Sequence, residues 1–311
     1  MPQLIVVRPG MLTTIQDLGR WGRQGDGVPV AGPMDPYSHR LANRLAGNED
    51  TAAALEITLI GPELEARGDV TCVVAGAEFS LSIGGRGVPM HQRFVIPSGS
   101  RLRFGPRAVG ARAVLAVRGG FDVEPVFGSR ATSLISRIGP FDGRALTAGD
   151  TLEVDAGDAL PDADNAQHGE PLELPRGAAR LRVIRGPHDV LFTHSAFETL
   201  FNSRFLVTPS SNRMGYRLDG PVLRHAGKAD ILSDATPIGS LQVPASGQVI
   251  LLMADRQTTG GYPKIATVIT ADLPIAGQLA PGDWIEFAPC TREAALDALE
   301  RQRRGLEGRQ R

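Results

Sequence analysis

Short apolar runs, nearly all closed by glycine or proline, are what most limit the folds open to this chain. Leu4 to Val7 stops at Pro9-Gly10. Phe94-Val95-Ile96 and Leu102-Arg103-Phe104 flank Pro97-Ser98-Gly99-Ser100, which reads as a hairpin. Ala113 to Val117 leaves through Arg118-Gly119-Gly120, and Val249 to Ala254 runs on towards the pair Gly260-Gly261. Proline removes a backbone donor, and glycine costs entropy inside either kind of regular element. With 37 glycines and 23 prolines in 311 residues, many short strands joined by tight turns are favoured over long helices. The expected class is mainly β, with a few short helices.

A chain of 311 residues is expected to form two domains or one large one. Residues 1–154 read as a first β domain. Within it, residues 11–35, MLTTIQDLGRWGRQGDGVPVAGPMD, are glycine-rich and weakly periodic, so a long functional surface loop is expected there. Asp35-Pro36 is a good helix start, Leu41 and Leu45 share a face, and Gly47-Asn48 ends the helix. Residues 155–176 are acidic and proline-bearing with almost no large apolar side chains, which predicts a linker or mobile loop. Residues 177–290 read as a second β domain, with strands at Leu181–Ile184, Ile238–Val243, Val249–Ala254, Ile265–Ile269 and Trp284–Phe287. Ser195 and Glu198 fit a capping box for a short helix between them. Residues 291–311 read as a C-terminal helix with a frayed tail. LTAGDTLEV at 146–154 echoes LAPGDWIEF at 279–287, as two related units in tandem would.

Lys+Arg 33 against Asp+Glu 34 gives a net charge of −1, which points away from nucleic acid and from a membrane surface. No apolar run approaches a membrane span, and the N-terminus lacks the pattern of a signal peptide, so a cytoplasmic location is expected. Two cysteines make no disulfide framework. The six histidines are scattered, none at i, i+4, so no metal site is expected. GxxxxGK[ST], GxGxxG, GxSxG and Met-Lys-Met are all missing. Any ATP or biotin would have to be carried mostly by another polypeptide.

Three polar constellations remain. The densest is Asp255, Arg256, Gln257, Thr258, Thr259, Gly260, Gly261, Tyr262 and Lys264, read equally well as a polar hairpin loop or as a site. The second holds Arg213, Tyr216 and Arg217, whose arginines would clamp a carboxylate or phosphate, or simply stack at the core edge. The third, Gln16, Asp17, Arg20 and Gln24, lies in the early loop as a second-domain contribution.

TTIQDLGRWG, GVPVAGPMD, LEITLIGP, RGGFDVEPVFGSRAT, SNRMGYRLDGP and ADRQTTGGYPKIATVITADLP, in this order, resemble the biotin-dependent carboxyltransferase-like family. It is also called the allophanate hydrolase subunit 2 or KipA family, and it includes the C component of bacterial 5-oxoprolinase. The resemblance implies tandem cyclophilin-like β-barrels. It also implies two partners, a protein of the allophanate hydrolase subunit 1 type (KipI, the 5-oxoprolinase B component) and a LamB/YcsF-like A component. Together these open 5-oxoproline to glutamate with ATP. The alternatives it implies are a component of urea breakdown that handles carboxybiotin, or a regulatory partner of a KipI-like protein. In either enzymatic case an amide oxygen gains negative charge, so fixed donors are needed. Arg256, Lys264 and the glycine amides are the expected donors, Asp255 the expected base, and Arg213 and Arg217 the expected holders of an anionic group. Tyr216 or Tyr262 would close over the ring.

Overall fold

The computed structural model describes residues 1–155 and 169–307. Two compact units are present. The first comprises Met1–Arg20, Ala31–Leu174 and Arg303–Arg311, and the second Trp21–Val30 and Pro175–Gln302. Most of the expected linker, 156–168, lies outside the described residues. Its last residues group with the first unit, where Glu170 donates its N–H to Gly305 O (3.0 Å) and accepts at its carbonyl from Tyr37 Oη (2.6 Å).

The first unit holds β1 (Gln3–Arg8), β2 (Leu12–Gln16), α1 (Pro36–Ala46), β3 (Ala54–Thr58), β4 (Glu63–Arg67), β5 (Val70–Ile83), β6 (Arg86–Val88), β7 (Phe94–Ile96), β8 (Arg101–Val117), the single turn α2 (Pro140–Gly143) and β9 (Thr151–Glu153). Its nine strands form one sheet, ordered β2-β3-β8-β4-β1-β9, with β5 pairing to β8, β6 and β7. Side chains alternate faces along a strand, so Cys72 and Val74 join one core while Val73 and Ala75 join another beneath Leu41 and Leu45 of α1. Helix α1 begins as its sequence dictates. The Asp35 carboxylate accepts from Ser38 N (2.9 Å), Pro36 follows, and Gly47 closes the helix at φ 84°.

The expected loop over 11–35 needs correction, because its first residues are strand β2, paired with β3 from Leu12↔Thr58 to Gln16↔Ala54. Thr13, Thr14 and Gln16 are buried there. Buried polar side chains erased the apolar alternation that marks a strand.

The second unit holds β10 (Ala178–Arg185), α3 (His194–Asn202), β11 (Arg204–Val207), β12 (Gly215–Asp219), β13 (Asp234–Ala235), β14 (Ser240–Gln242), β15 (Ile250–Leu252), β16 (Thr259–Gly260), β17 (Lys264–Val268), α4 (Leu273–Gly277) and β18 (Trp284–Pro289). Helix α5 (Arg292–Glu307) follows. Seven strands close into a barrel, β10-β17-β14-β15-β12-β11-β18, sealed by the parallel pairing of β10 with β18. Tyr216, Leu251, Leu241 and Ala266 are register partners across four adjacent strands, and all are buried. Helix α3 is capped by Thr193, whose Oγ1 accepts from Ala196 N (3.2 Å), and not by Ser195. Among the described residues no helix is long and apolar enough to cross a membrane.

The sequence echo is one turn built twice. Asp150 accepts from Thr147 N (2.7 Å), and Asp283 accepts from Ala280 N (2.8 Å). The glycine before each aspartate has a positive φ, 92° at Gly149 and 96° at Gly282, which an L side chain resists.

Candidate functional site

Strands β15 and β17 are not neighbours; each pairs with β14 from opposite sides. The Met253–Pro263 connection is therefore no tight hairpin. It crosses the end of β14, and a second segment is laddered to it. Within it β16 pairs with β13, Thr236 N donates to Thr258 O (3.1 Å), and Ile231 N donates to Gly261 O (3.0 Å). Neither Gly260 nor Gly261 is among the glycines with positive φ. What Gly260 supplies is closeness, since a Cβ there would stand 2.8 Å from Gln242 Nε2.

Asp255 is 4% exposed and takes both donors of one guanidinium edge, Arg213 Nε at 3.0 Å and Nη2 at 2.9 Å. This bidentate geometry occupies the carboxylate that was expected to serve as a base, and the arginine expected to clamp an anion. The pair joins the 212–214 turn to the connection, where Asp255 N also donates to Arg213 O (2.8 Å). Tyr216, expected over a ring, points into the barrel and donates to Leu279 O (3.3 Å). Lys264, 1% exposed, is committed to Asp234 Oδ2 and Ala235 O, both at 2.8 Å.

Arg256 is different. It is 7% exposed, and its Nε donates to Thr236 O at 2.6 Å, yet among the described residues it forms no ion pair. Burial pushes its guanidinium down to about 10, still charged at neutral pH. A cleft of about 260 Å³ lies against it, lined also by Trp21, Gln24, Val30, Thr236 and Gln257. A second cleft, of about 230 Å³, shares Gln257 and takes in Arg217 and the 42%-exposed Tyr262. Thr258 is half-buried and Thr259 exposed. A buried cation in no ion pair beside an open cleft is a place for an anion or a developing oxyanion.

Gln16, Asp17 and Arg20 serve another purpose within the first unit. Gln16 donates to Thr14 Oγ1 (3.0 Å) and Thr132 O (3.1 Å) and accepts from Gly32 N (3.1 Å). Asp17 accepts from Gly19 N, Ser129 Oγ and Arg130 N, and Arg20 donates to Val126 O and Ala131 O. These three pin 16–20 to 126–132. Gln24, by contrast, lines the Arg256 cleft in the second unit.

Sequence reasoning missed Asp234, His188, Thr236 and Gln242. Lys264 holds the Asp234 carboxyl below its usual range. His188 Nδ1 accepts from Lys264 N (3.3 Å), and burial followed by Lys264 lowers its pKa. None sits in a local motif; the barrel closure collects them. Only the polar Gln242 inside the apolar run Leu241-Gln242-Val243 carried a signal.

The sequence pattern described as carboxyltransferase domain, subdomain A and B, matches residues 26–289. The chain belongs to this family. It is 38% identical to the C component of 5-oxoprolinase from Escherichia coli (strain K12), over 98% of its own length and 96% of the relative's. It is 33% identical to urea amidolyase of Lachancea kluyveri, over 97% of this chain and 18% of that one. Among solved structures, urea carboxylase of Kluyveromyces lactis superposes with a TM-score of 0.91 at 31% identity, covering 99% of this chain. The chain spans 30% of that protein's length, and 55% of another solved chain matched at TM-score 0.81. The mainly β class expected of the family is observed; of the two tandem barrels it implies, the second unit closes as one and the first is a nine-stranded sheet.

Proposed function

We propose that this chain is the C component of a cytoplasmic, ATP-dependent 5-oxoprolinase complex that opens 5-oxoproline to L-glutamate. One observation carries the reading: the match to a 5-oxoprolinase C component runs almost end to end in both chains, whereas the urea enzymes contain this unit as a minor part. The partners are a KipI-like B component and a LamB/YcsF-like A component.

Opening a lactam places negative charge on its oxygen. Arg256, buried and in no ion pair among the described residues, is the donor aimed at that charge. The Asp255–Arg213 pair holds the backbone on which Arg256 stands, so Asp255 is a positioning residue and not the base. The Lys264–Asp234 pair holds the 234–236 segment whose Thr236 carbonyl orients the Arg256 guanidinium. The glycine pair is engaged in a ladder with 231–235 and offers no open phosphate cradle, which favours ATP being held chiefly by the partner chains. No step is therefore assigned to ATP on this chain.

The test is ATP-dependent glutamate release from 5-oxoproline by the reconstituted complex, with and without this chain. Turnover that does not need this chain ends the proposal. A second reading is favoured by the TM-score of 0.91 to a urea carboxylase, namely carboxyl transfer from carboxybiotin to urea at the same edge. Carboxylation of urea dependent on this chain, without glutamate release, would put that reading first. Loss of both activities, with tight binding to a KipI-like chain, would leave a regulatory partner.

A further inference from the structure

The motif RGGFDVEPVFGSRAT, residues 118–132, lines neither of the clefts described above, yet Gln16, Asp17 and Arg20 are all spent on it. What they hold is a tight turn in the first unit. Val126 N donates to Ser129 O (2.8 Å) and Ser129 N to Val126 O (3.3 Å), which leaves Phe127 and Gly128 as the tip. Both are left-handed, Phe127 at φ 53° and Gly128 at 79°, as a type I′ turn requires. Asparagine, aspartate or glycine ordinarily takes the first of these places, and a bulky phenylalanine there is strained. The ring is 54% exposed and is absent from the two cores described for this unit.

Buried groups keep that strain in place. Asp17 accepts from Ser129 Oγ (2.6 Å), and Arg20 donates to Val126 O and Ala131 O, on both sides of the tip. An unfavourable backbone conformation persists only where its surroundings over-determine it, and such residues gather at functional surfaces. Phe127 has company: of the seven left-handed non-glycine residues among those described, Phe127, Arg137, Phe141 and Asp142 fall within 127–142. A rigid turn presenting an aromatic ring has the form of an interface anchor, because the ring brings much apolar area and loses little entropy when it is immobilised. The segment entering the turn carries Asp122 and Glu124, both exposed and in no ion pair among the described residues. Against them stands the half-buried Arg130, whose Nε is taken by Val123 O (2.8 Å). Two carboxylates against one guanidinium leave this rim negative, so the surface that complements it is apolar with a basic border.

We propose that the Phe127–Gly128 tip docks this chain onto a partner protein, its ring entering an apolar pocket bordered by Lys or Arg side chains that face Asp122 and Glu124. Asp17 and Arg20 are then the frame of an interface. The surface stands on the turn alone; the 5-oxoprolinase components as the partners to try rest on the function proposed above.

The test titrates the full chain calorimetrically with the purified KipI-like and LamB/YcsF-like chains in turn, and follows the melting of each free variant. The wild-type chain is expected to bind one of them. Phe127→Ala should weaken that binding at least about thirty-fold, and Phe127→Leu far less. Phe127→Gly should bind as poorly as Phe127→Ala yet melt higher, because glycine takes a left-handed φ freely. Replacing Asp122 and Glu124 together by Lys should slow association, by a factor that shrinks as salt is raised. Wild-type affinity in both Phe127→Ala and Phe127→Gly, or no binding of either partner by the wild-type chain, overturns the proposal. A lowered Tm with unchanged affinity would likewise make Phe127 a structural residue only. Glutamate release by the complex is scored separately. Phe127-dependent binding without glutamate release removes the functional proposal alone, and glutamate release with binding indifferent to Phe127 removes this inference alone.

Discussion

Gln16, Asp17 and Arg20 in the first unit and Asp255, Arg256 and Gln257 in the second are the same three residue types, all buried except the half-buried Gln257. Arg20 is 1% exposed and Arg256 7%. Their uses differ. The first set is spent on protein: its amide, carboxylate and guanidinium bind Thr132, Ser129, Arg130 and Ala131, and staple one chain segment to another. The second set is spent only in part. Asp255 is consumed by Arg213, while Arg256 and Gln257 border clefts. Polar density alone therefore does not separate a staple from a site. What separates them is whether the polar groups knit two chain segments together or stand beside an open cleft.

The largest effect is expected at the Asp255–Arg213 pair. Asp255→Ala strands a buried guanidinium and should cost about 3–5 kcal/mol in urea unfolding. If stability is kept and only activity lost, Asp255 acts on substrate and the positioning role is wrong.

Acid should distinguish the units next. Burial lowers His39 in α1 to about 4, so it is neutral in the fold and charges on unfolding. Its contribution is complete above about pH 6.5 and falls away as pH drops towards about 4, a loss of about 3 kcal/mol. His39→Gln should flatten the unfolding free energy of the first unit across that window. In the second unit Lys264 depresses Asp234, so that stabilisation is present above the ordinary carboxylate range and disappears only below it. Amide-exchange protection in 231–236, taken relative to the intrinsic rate at each pH, should therefore hold through the ordinary carboxylate range and fall only below it.

Arg256→Ala should leave the melting curve nearly intact and reduce kcat/KM of the reconstituted complex about 10²-fold, with Arg256→Lys recovering only part. Asp17→Asn, with backbone donors still facing a neutral oxygen, should cost the least, about 1–2 kcal/mol, with kcat/KM unchanged in the surviving fold. Loss of activity without loss of stability there would make the staple a site after all.

Local chemistry made much of the fold legible. The Asp35-Pro36 start and Gly47 stop of α1, the strands around 181–184 and 249–254, and the repeated GD turn all follow from short-range preferences. Strand β2 was hidden because Thr and Gln were buried where apolar residues were expected, and the cap of α3 lay two residues upstream of the predicted one. At the site, the stretch from Asp255 to Tyr262 stood out as a polar block. Its division of labour did not, because the partners Arg213, Thr236 and Gln242 are 42, 20 and 15 residues from the positions they contact.

Residue chemistry alone specified a mainly β chain, its family, and the segment that carries the densest polar chemistry. Glycine, proline and apolar spacing act over a few residues and are read directly. It took the tertiary structure to pair Asp255 with Arg213, to turn Tyr216 into the barrel, to set the Arg256 guanidinium beside a cleft and to leave Gln242 Nε2 without a partner. Closing the barrel sets which side chains meet, and hydrogen-bond satisfaction is a property of meetings between distant residues, which no local pattern records.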